Sequence, residues 1–169
     1  LLKVRKPITS GNVYHYEKWA TDIDGVATAK VFPLHAGPGT VKVVVIAEDG
    51  RAPSPEVIAN VAQHIEVERP IGAMVDVVPV TEIAVNISAS LTLAGDLAPA
   101  DVLDAVKASL GSYLLAAAQT GVVRYARIGE ALLETDGVLD YENLTLNGGM
   151  ANVTIAEDAV AVVGEVTLL

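Results

Sequence analysis

One stretch near the start of the sequence, from Gly11 to Ile46, places the tightest limits on the fold. Apolar residues at helical spacing come first, and Asp24-Gly25 then predicts a turn, because glycine tolerates positive φ. Two runs rich in β-branched residues follow, Val26 to Leu34 and Val41 to Ala47, separated by Gly37-Pro38-Gly39. The stretch therefore predicts a helix, a turn and a two-stranded hairpin.

A similar order of segments returns between Arg127 and Ile155. Asp22-Ile23-Asp24-Gly25-Val26 aligns with Glu134-Thr135-Asp136-Gly137-Val138, and two strand-like segments joined by Asn147-Gly148-Gly149 follow the second copy. These matches suggest an internal repeat. A chance match in a chain rich in glycine and valine is the alternative interpretation.

The middle of the chain carries clear helix and strand signals. Ser54-Pro55 is a typical helix start, and a further strand is predicted from Met74 to Val80. Strict alternation of apolar and polar residues from Ile83 to Leu93 predicts a long strand with one wet face. Pro99 begins the longest predicted helix, and the last strand runs from Val160 to Leu168.

This order of elements predicts an α+β fold. We expect two small α+β lobes with mostly antiparallel strands and helices packed on the sheets. Residues 1–10 are interpreted as an N-terminal arm or linker, residues 11–80 as the first lobe and residues 81–169 as the second.

Composition and charge exclude several classes of function. The formal net charge of −10 disfavours a nucleic-acid-binding protein, which needs clustered Lys and Arg. The absence of cysteine excludes disulfides, thiolate metal sites and a cysteine nucleophile. No apolar run approaches the roughly 18–20 residues of a membrane span, so no membrane insertion is expected.

Motifs for catalysis or metal binding are missing. The histidines, His15, His35 and His64, lack the spacing of metal ligands, and surface or hydrogen-bonded roles are expected for them. Asp22-x-Asp24-Gly25 resembles the start of a calcium loop, but apolar residues stand where the later ligands should be. The loop at Gly37 to Thr40 lacks the ending of a phosphate loop, and no serine lies in a GxSxG elbow. No catalytic, cofactor-binding or metal-binding residue is therefore predicted, and no cofactor.

Two groups of residues allow alternative interpretations. Carboxylates crowd the turns at Glu48-Asp49, Asp136 and Glu157-Asp158, where they are either solvated turn residues or a pair of hydrolytic acids. Tyr16 and Trp19 are interpreted as core residues, with an interface anchor as the alternative. Together with Pro38 they form the set of possible interface residues.

An ordered set of motifs resembles one known family. Gly11-Asn12, Tyr16-Glu17-x-Trp19-Ala20, Gly25-Val26, Val31-x-Pro33-Leu34 and Gly37-Pro38-Gly39-Thr40-Val41 are similar to the baseplate J-like family of contractile-tailed phages. Arg69-Pro70-Ile71-Gly72-Ala73-x-Val75-x-Val77-x-Pro79 is similar to the family's following block. From Ile83 onwards the resemblance is to the general layout only.

The resemblance implies a structural protein of a phage or prophage tail baseplate. Such a protein would join other baseplate proteins, and further copies of itself, in the wedge or ring around the tail hub. It would lie in the virion tail after assembly in the host cytoplasm, and it would have no catalytic residues. The chain would be the C-terminal part of a longer family member.

Two other functions are kept as alternatives. One is a small-ligand-binding or regulatory module, because paired α+β lobes often form clefts. The other is a tail-associated cell-wall hydrolase, which only the acidic turns suggest.

Overall fold

In the computed structural model, which describes residues 12–118 and 120–169, the chain divides into two units, one ending at Thr81 and the other beginning at Glu82. The predicted arm, residues 1–10, lies outside the described residues. The prediction of an α+β fold is confirmed in both units.

The described residues of the first unit form two helices and a three-stranded sheet. Its elements are α1 (Val13–Thr21), β1 (Val26–Pro33), β2 (Thr40–Ala47), α2 (Pro55–Glu68) and β3 (Met74–Pro79). Side-chain caps fix both helix starts: Asn12 Oδ1 accepts a hydrogen bond from the His15 N–H at 3.1 Å, and Ser54 Oγ accepts one from the Val57 N–H at 3.4 Å. The cap at Ser54 agrees with the helix start predicted from the sequence.

The strand order in this sheet is β1-β2-β3. The β1–β2 pair is the predicted antiparallel hairpin, with Val31 opposite Val43. The β2–β3 pair is parallel, with Val43 opposite Val77, because α2 carries the chain back across the sheet between them. One pair in the sheet therefore departs from the antiparallel pattern expected for most strands.

The core of the first unit lies between the two helices and one face of the sheet. Its buried members are apolar or aromatic: Tyr16, Trp19, Ala20, Val26, Ala29, Val43, Val45, Val61 and Ile65. Val44 and Ile46, which point to the opposite face of β2, are buried as well. Strand β2 is therefore buried on both faces.

In the second unit, residues 82–118 and 120–169 form two helices and five strands, the first of which begins at Thr81. Its elements are β4 (Thr81–Leu93), α3 (Pro99–Ala117), β5 (Val122–Val123), α4 (Tyr125–Leu133), β6 (Val138–Leu146), β7 (Val153–Thr154) and β8 (Ala159–Leu168). The main sheet has the order β6-β4-β8, and β5 pairs with β7 in a separate ribbon.

The pairs on either side of β4 run in opposite senses. The β4–β6 pair is antiparallel, with Ile87 opposite Leu146. On the other side, the Leu169 N–H donates to the Ala89 carbonyl at 3.0 Å, and the Leu169 carbonyl accepts from the Leu91 N–H at 2.8 Å. Leu169 thus bonds to the residues on both sides of Ser90, one through its N–H and one through its carbonyl, which is the hydrogen-bond pattern of a parallel pair. The edge strand β8 therefore runs parallel to β4.

The alternation predicted along β4 is confirmed by the burial of its side chains. Val85, Ile87 and Ala89 are buried in the core with Leu91 packed against them, and Asn86 on the other face is exposed. Helix α3 contributes an apolar stripe to the same core, which consists of Val102, Val106, Leu110 and Leu114.

The structure contains the predicted repeat at one place, the turn that joins a helix to the following strand in each unit. The residues that end α1 and α4, Asp22 and Glu134, both have φ −74° and ψ −9°, and Gly25 and Gly137 both have φ near +90°. The turn bonds also correspond: the Val26 N–H donates to Ile23 O at 3.2 Å, and the Val138 N–H donates to Thr135 O at 3.1 Å. The same helix–turn–strand corner therefore occurs once in each unit.

Beyond this corner the predicted repeat is wrong. The strands joined by Asn147-Gly148-Gly149 do not form a hairpin like that of the first unit, because β6 pairs with β4 and β7 pairs with β5. An isolated bridge between Leu146 and Gly149 closes the turn instead. In the second unit β6 pairs with the long strand β4, whereas in the first unit β1 pairs with β2, the next strand along the chain.

Helix α4 begins at Tyr125. The Tyr125 N–H donates to Asn152 Oδ1 at 2.9 Å, so the side chain that satisfies this helix start lies far along the chain. Among the helices of the described residues, none has the length and apolar character needed to cross a membrane.

Candidate functional site

Tyr16 and Trp19, two of the predicted interface residues, lie in the core of the first unit. Their exposed fractions are 2% and 8%, and their rings meet edge to face with centroids 5.0 Å apart. His15 stacks on the Trp19 ring, with centroids 4.9 Å apart. The interpretation of both residues as core residues is confirmed, while their role in an interface stays a prediction.

The third predicted interface residue, Pro38, is exposed in the β1–β2 loop. The α2–β3 loop lies beside it, since the Met74 N–H donates to the Gly39 carbonyl at 2.8 Å and Thr40 is opposite Met74 in the sheet. Exposed apolar residues occur in both loops: Leu34 and Met74 are each 66% exposed, and Ile71 is fully exposed. We call Leu34, Pro38, Ile71 and Met74 the apolar tip.

Hydrogen bonds hold the β1–β2 loop in one conformation. The Leu34 N–H donates to the Thr40 carbonyl at 2.7 Å. The buried Thr40 hydroxyl accepts from the Ala36 N–H at 3.0 Å and donates to the Gly37 carbonyl at 2.7 Å. The loop backbone is thus satisfied from within, and the apolar side chains it carries are presented on an ordered frame.

Arg69 ties the second loop to helix α2. Its guanidinium donates to the Ala73 carbonyl, and Arg69 Nε donates to Glu66 Oε2 at 2.6 Å. The hydrogen bond to Glu66 raises the pKa of Arg69, and the same bond lowers the pKa of Glu66. The planar guanidinium can donate to Glu66 and to the Ala73 carbonyl at the same time, since its N–H donors are fixed in one plane and point in different directions.

The charged groups beside the apolar tip have partners within the first unit. His35 Nε2 donates to Asp76 Oδ2 at 2.9 Å, which joins the β1–β2 loop to β3. Lys42 Nζ lies 5.9 Å from the centre of the Phe32 ring. Arg69 forms an ion pair with Glu66, and Asp76 accepts a hydrogen bond from His35, so these polar groups have partners beside the apolar side chains at this end of the sheet.

A cleft of about 560 Å³ lies between the corner after α1 and the outer side of α2. It is lined by Asp22, Asp24, Asn60, Gln63 and His64, with Ile23 and Val67. His64 Nε2 is buried and has no hydrogen-bond partner among the described residues. The sequence signal for this cleft is weak, because its residues come from two helices and a turn with no shared motif.

A second cleft of about 440 Å³ follows the groove between α3 and α4. Small and charged residues line it, among them Ser109, Ser112, Arg127, Glu130 and Glu134. Ser109 Oγ donates to the Ala131 carbonyl at 2.8 Å, and Arg127 pairs with Glu130. The first of these contacts holds the two helices together, and both give the cleft a polar surface.

An asparagine pair joins three strands on the wet side of the second unit. The Asn86 N–H donates to Asn147 Oδ1 at 2.8 Å, and Asn86 Oδ1 accepts from the Glu165 N–H at 2.9 Å. A Cβ at Gly164 would lie 2.2 Å from that Asn86 oxygen, so glycine is needed beside it. Asn86 therefore has a structural role that its place in the alternating strand did not reveal.

The three histidines lie in three different segments of the first unit. His15 is on α1, His35 is in the β1–β2 loop, and His64 is on α2. Within residues 12–118 and 120–169, no group of three or more His, Cys, Asp or Glu residues is arranged to hold a metal ion.

Family models match nearly the whole chain. The model described as the baseplate J-like central domain matches residues 8–79, and the model described as the baseplate J-like protein C-terminal domain matches residues 85–169. The break between the two matched ranges falls at the same place in the chain as the break between the two structural units.

Two relatives from Bacillus subtilis (strain 168) are similar over almost the full length of the chain. The phage-like element PBSX protein XkdT is 31% identical over 178 residues, which covers 99% of this chain and 50% of the relative. The uncharacterized protein YqbT is 31% identical over 179 residues, with the same shares of the two chains. The chain thus spans about half the length of these relatives.

A similar fold occurs in the cryo-EM structure of the anti-feeding prophage (AFP) baseplate, 6-fold symmetrised. The TM-score is 0.70 and the sequence identity is 12%, and the match covers 95% of this chain and 39% of the other. At this identity the likeness concerns the fold.

Proposed function

Since the chain belongs to the baseplate J-like family, with that family's central and C-terminal domains in order along it, we propose that it is a structural component of a phage or prophage tail baseplate. The observation that carries the proposal is the pair of family matches, which together cover both structural units. The PBSX relative and the AFP baseplate structure support the same role. The component would be held in place by contacts with neighbouring baseplate proteins.

The finer parts of the proposal concern place and partners. We propose that further copies of the protein join it in the wedge or ring around the tail hub, and that the ring is assembled in the host cytoplasm. The 6-fold symmetrised AFP baseplate supports a ring. The two structural units would be the two domains predicted from the sequence, residues 11–80 and 81–169.

We also propose that the protein acts by assembly and not by catalysis. The family membership supports this. Purified protein should leave a suspension of bacterial cell walls turbid. Clearing of the suspension would favour the hydrolase alternative.

Purified tail particles test the main proposal. Particles released from a host that produces the protein with a small affinity tag should contain it in a constant ratio to the other tail proteins, as measured by quantitative mass spectrometry. Deletion of its gene should leave particles without a complete baseplate in electron micrographs. A protein found only in the free fraction, with intact baseplates in its absence, would contradict the proposal.

A further inference from the structure

The turn after β6 contains an asparagine that is followed by a glycine. Asn147, Gly148 and Gly149 are exposed, and Asn147 and Gly148 have φ +50° and +77°. A Cβ at Gly148 would have no atom within 4 Å, so this side of the turn is open to solvent. Asparagine is a chemically labile residue type, and it reacts most readily where the next residue has no side chain to cover its backbone nitrogen.

The peptide group between Asn147 and Gly148 has no hydrogen bond within residues 12–118 and 120–169. The bonds of the turn lie on either side of it: the Leu146 N–H donates to the Gly149 carbonyl at 2.7 Å, and the Gly149 N–H donates to the Leu146 carbonyl at 2.9 Å. This peptide group can rotate without the loss of a hydrogen bond to the protein. Rotation brings the Gly148 nitrogen toward the side-chain amide of Asn147.

Asn86 of β4 holds and polarises the side-chain amide of Asn147. The Asn147 N–H donates to the Asn86 carbonyl at 2.8 Å, and the Asn86 N–H donates to Asn147 Oδ1, also at 2.8 Å. A backbone N–H that points at a carbonyl oxygen stabilises the negative charge which this oxygen gains when a nucleophile attacks the carbon. The Asn86 N–H is therefore placed as the donor of an oxyanion hole would be.

We propose that Asn147 is a site of spontaneous covalent modification, with the Gly148 nitrogen as the nucleophile and the Asn86 N–H as the oxyanion donor. The Gly148 nitrogen gives its proton to water and forms a bond to Asn147 Cγ. The bond from Cγ to Nδ2 breaks, and Nδ2 leaves as ammonia with the electron pair and a proton from water, so a succinimide ring remains. Water opens the ring at either carbonyl to give aspartate or isoaspartate, with no change of oxidation state.

The other asparagines provide a comparison within the same molecule. Each is followed by a bulky aliphatic residue, in the pairs Asn12-Val13, Asn60-Val61, Asn86-Ile87, Asn143-Leu144 and Asn152-Val153. Asn143 is the best matched of them, because it is also exposed and also has positive φ, +53°. The residue after it, Leu144, is buried, so the nitrogen at that position is covered whereas the Gly148 nitrogen is open.

The two products have different effects on the second unit. Aspartate keeps an oxygen in the place where Asn147 Oδ1 accepts the Asn86 N–H. Isoaspartate lengthens the main chain by a methylene group inside the turn that the Leu146–Gly149 bridge closes, so these hydrogen bonds cannot all be kept. We therefore expect the isoaspartate form to unfold at a lower urea concentration than the aspartate form. The modification needs no partner and is independent of the proposed role in a baseplate.

Peptide mapping of the full chain by mass spectrometry tests the site. The folded protein is kept in mildly alkaline buffer, which removes the proton from the attacking nitrogen more often, and fragment ions assign each change to one residue. We expect Asn147 to gain the mass difference between NH₂ and OH at least about tenfold faster than Asn143, a barrier lower by about 1.4 kcal/mol. No gain at Asn147, or equal rates at Asn143 and Asn147, would overturn the proposal.

The chain unfolded in urea tests the oxyanion donor. Unfolding keeps the Asn147-Gly148 sequence but removes the bond from the Asn86 N–H to Asn147 Oδ1. We expect Asn147 to react at least as fast in the folded protein as in the unfolded chain. A slower reaction in the folded protein overturns the proposal, because the fold would then protect the turn.

A matched pair of glycine substitutions tests the open nitrogen. Gly148→Ala places a methyl group beside the attacking nitrogen, and Gly149→Ala changes the same turn with only an ordinary contact, 3.6 Å from Cβ to the Leu146 carbonyl oxygen. We expect Gly148→Ala to slow the gain at Asn147 at least about tenfold and Gly149→Ala to leave it within about twofold of the wild type. Circular dichroism shows whether each variant is folded. A folded Gly148→Ala protein that reacts as fast as the wild type overturns the proposal.

Discussion

Leu34 has a positive φ, a backbone conformation that is unfavourable for leucine and lowers the stability of the unit. Asparagine tolerates its left-handed conformation better than leucine, so we expect Leu34→Asn to raise the free energy of unfolding by about 0.5–1 kcal/mol. Urea unfolding followed by Trp19 fluorescence measures this change.

Leu34→Ala is the control for this prediction, since it shortens the side chain but keeps the Cβ that makes the conformation unfavourable. It should leave stability nearly unchanged. A loss of more than about 1 kcal/mol in Leu34→Asn would show that the leucine packs in the unit.

Tyr16 makes the stability of the first unit depend on pH in the alkaline range. Burial raises the pKa of its phenol above the ordinary value of 10.0, and the nearby charge of Arg69 opposes that shift in part. The folded protein therefore holds this proton at a pH where the unfolded chain releases it. The resulting stability is present in full below pH 10.0 and is lost as the pH rises through the folded-state pKa.

We expect Tyr16→Phe to make the loss of stability above about pH 10 less steep, because the group that titrates is gone. Urea unfolding at a series of pH values, followed by circular dichroism, measures the slope. The same slope in the variant and the wild type would mean that other groups cause the alkaline loss.

Two glycines inside helices differ in the space around them: Gly129 has no room for a side chain, and Gly111 does. A Cβ at Gly129 of α4 would lie 2.1 Å from the Tyr141 hydroxyl oxygen, while a Cβ at Gly111 of α3 would meet Val163 Cγ2 at 3.9 Å, an ordinary contact. The first glycine therefore permits close packing of α4 on β6. The second only weakens its helix.

We predict that Gly129→Ala lowers the free energy of unfolding by about 1–3 kcal/mol, because Tyr141 must move. Gly111→Ala should raise it by about 0.5–1 kcal/mol through helix propensity. Unfolding in urea followed by circular dichroism measures both changes. Equal effects from the two substitutions would show that helix propensity, and not the contact with Tyr141, decides the outcome.

The turns after α1 and α4 have the same conformation, but the strands that follow them pair differently. Asp22 to Val26 and Glu134 to Val138 form the same turn, because glycine with positive φ and the helix end are local features. The strands that follow pair differently, since β1 meets the next strand in the sequence and β6 meets β4. Local sequence sets the turn, and the neighbours available in each unit set the pairing.

For the whole molecule, the acidic charge is concentrated in the second unit. Residues 82–169 contain 12 acidic and 3 basic residues, so most of the net charge of −10 lies there. Like charges confined to one compact unit repel one another, and salt screens that repulsion.

We therefore predict that raising NaCl from about 0.02 M to about 0.3 M increases the urea concentration at the unfolding midpoint. Circular dichroism measures the midpoint, and urea is used because guanidinium is itself a salt. A midpoint that falls as salt is added would show that favourable ion pairs, such as Arg127–Glu130, outweigh the repulsion.

The candidate site could be predicted from the sequence only in part. The sequence predicts Pro38 as a possible interface residue, and Pro38 lies in the exposed loop of the apolar tip. Leu34, Ile71 and Met74 gave no such signal, because a single exposed apolar residue looks the same in sequence as a buried one. Tyr16 and Trp19, which share a helical face with Ala20, are core residues as that spacing indicates.

By itself, the sequence determined the helices, most of the strands and the α+β class. Those features depend on periodicity and caps within a few residues, such as Asn12 before α1 and Ser54 before α2. The tertiary structure alone decided the parallel β2–β3 pair, the place of β4 beside β6, and the apolar tip. Each of these joins segments about 30 or more residues apart, and a contact between distant segments depends on the packing of the whole unit, which no local pattern encodes.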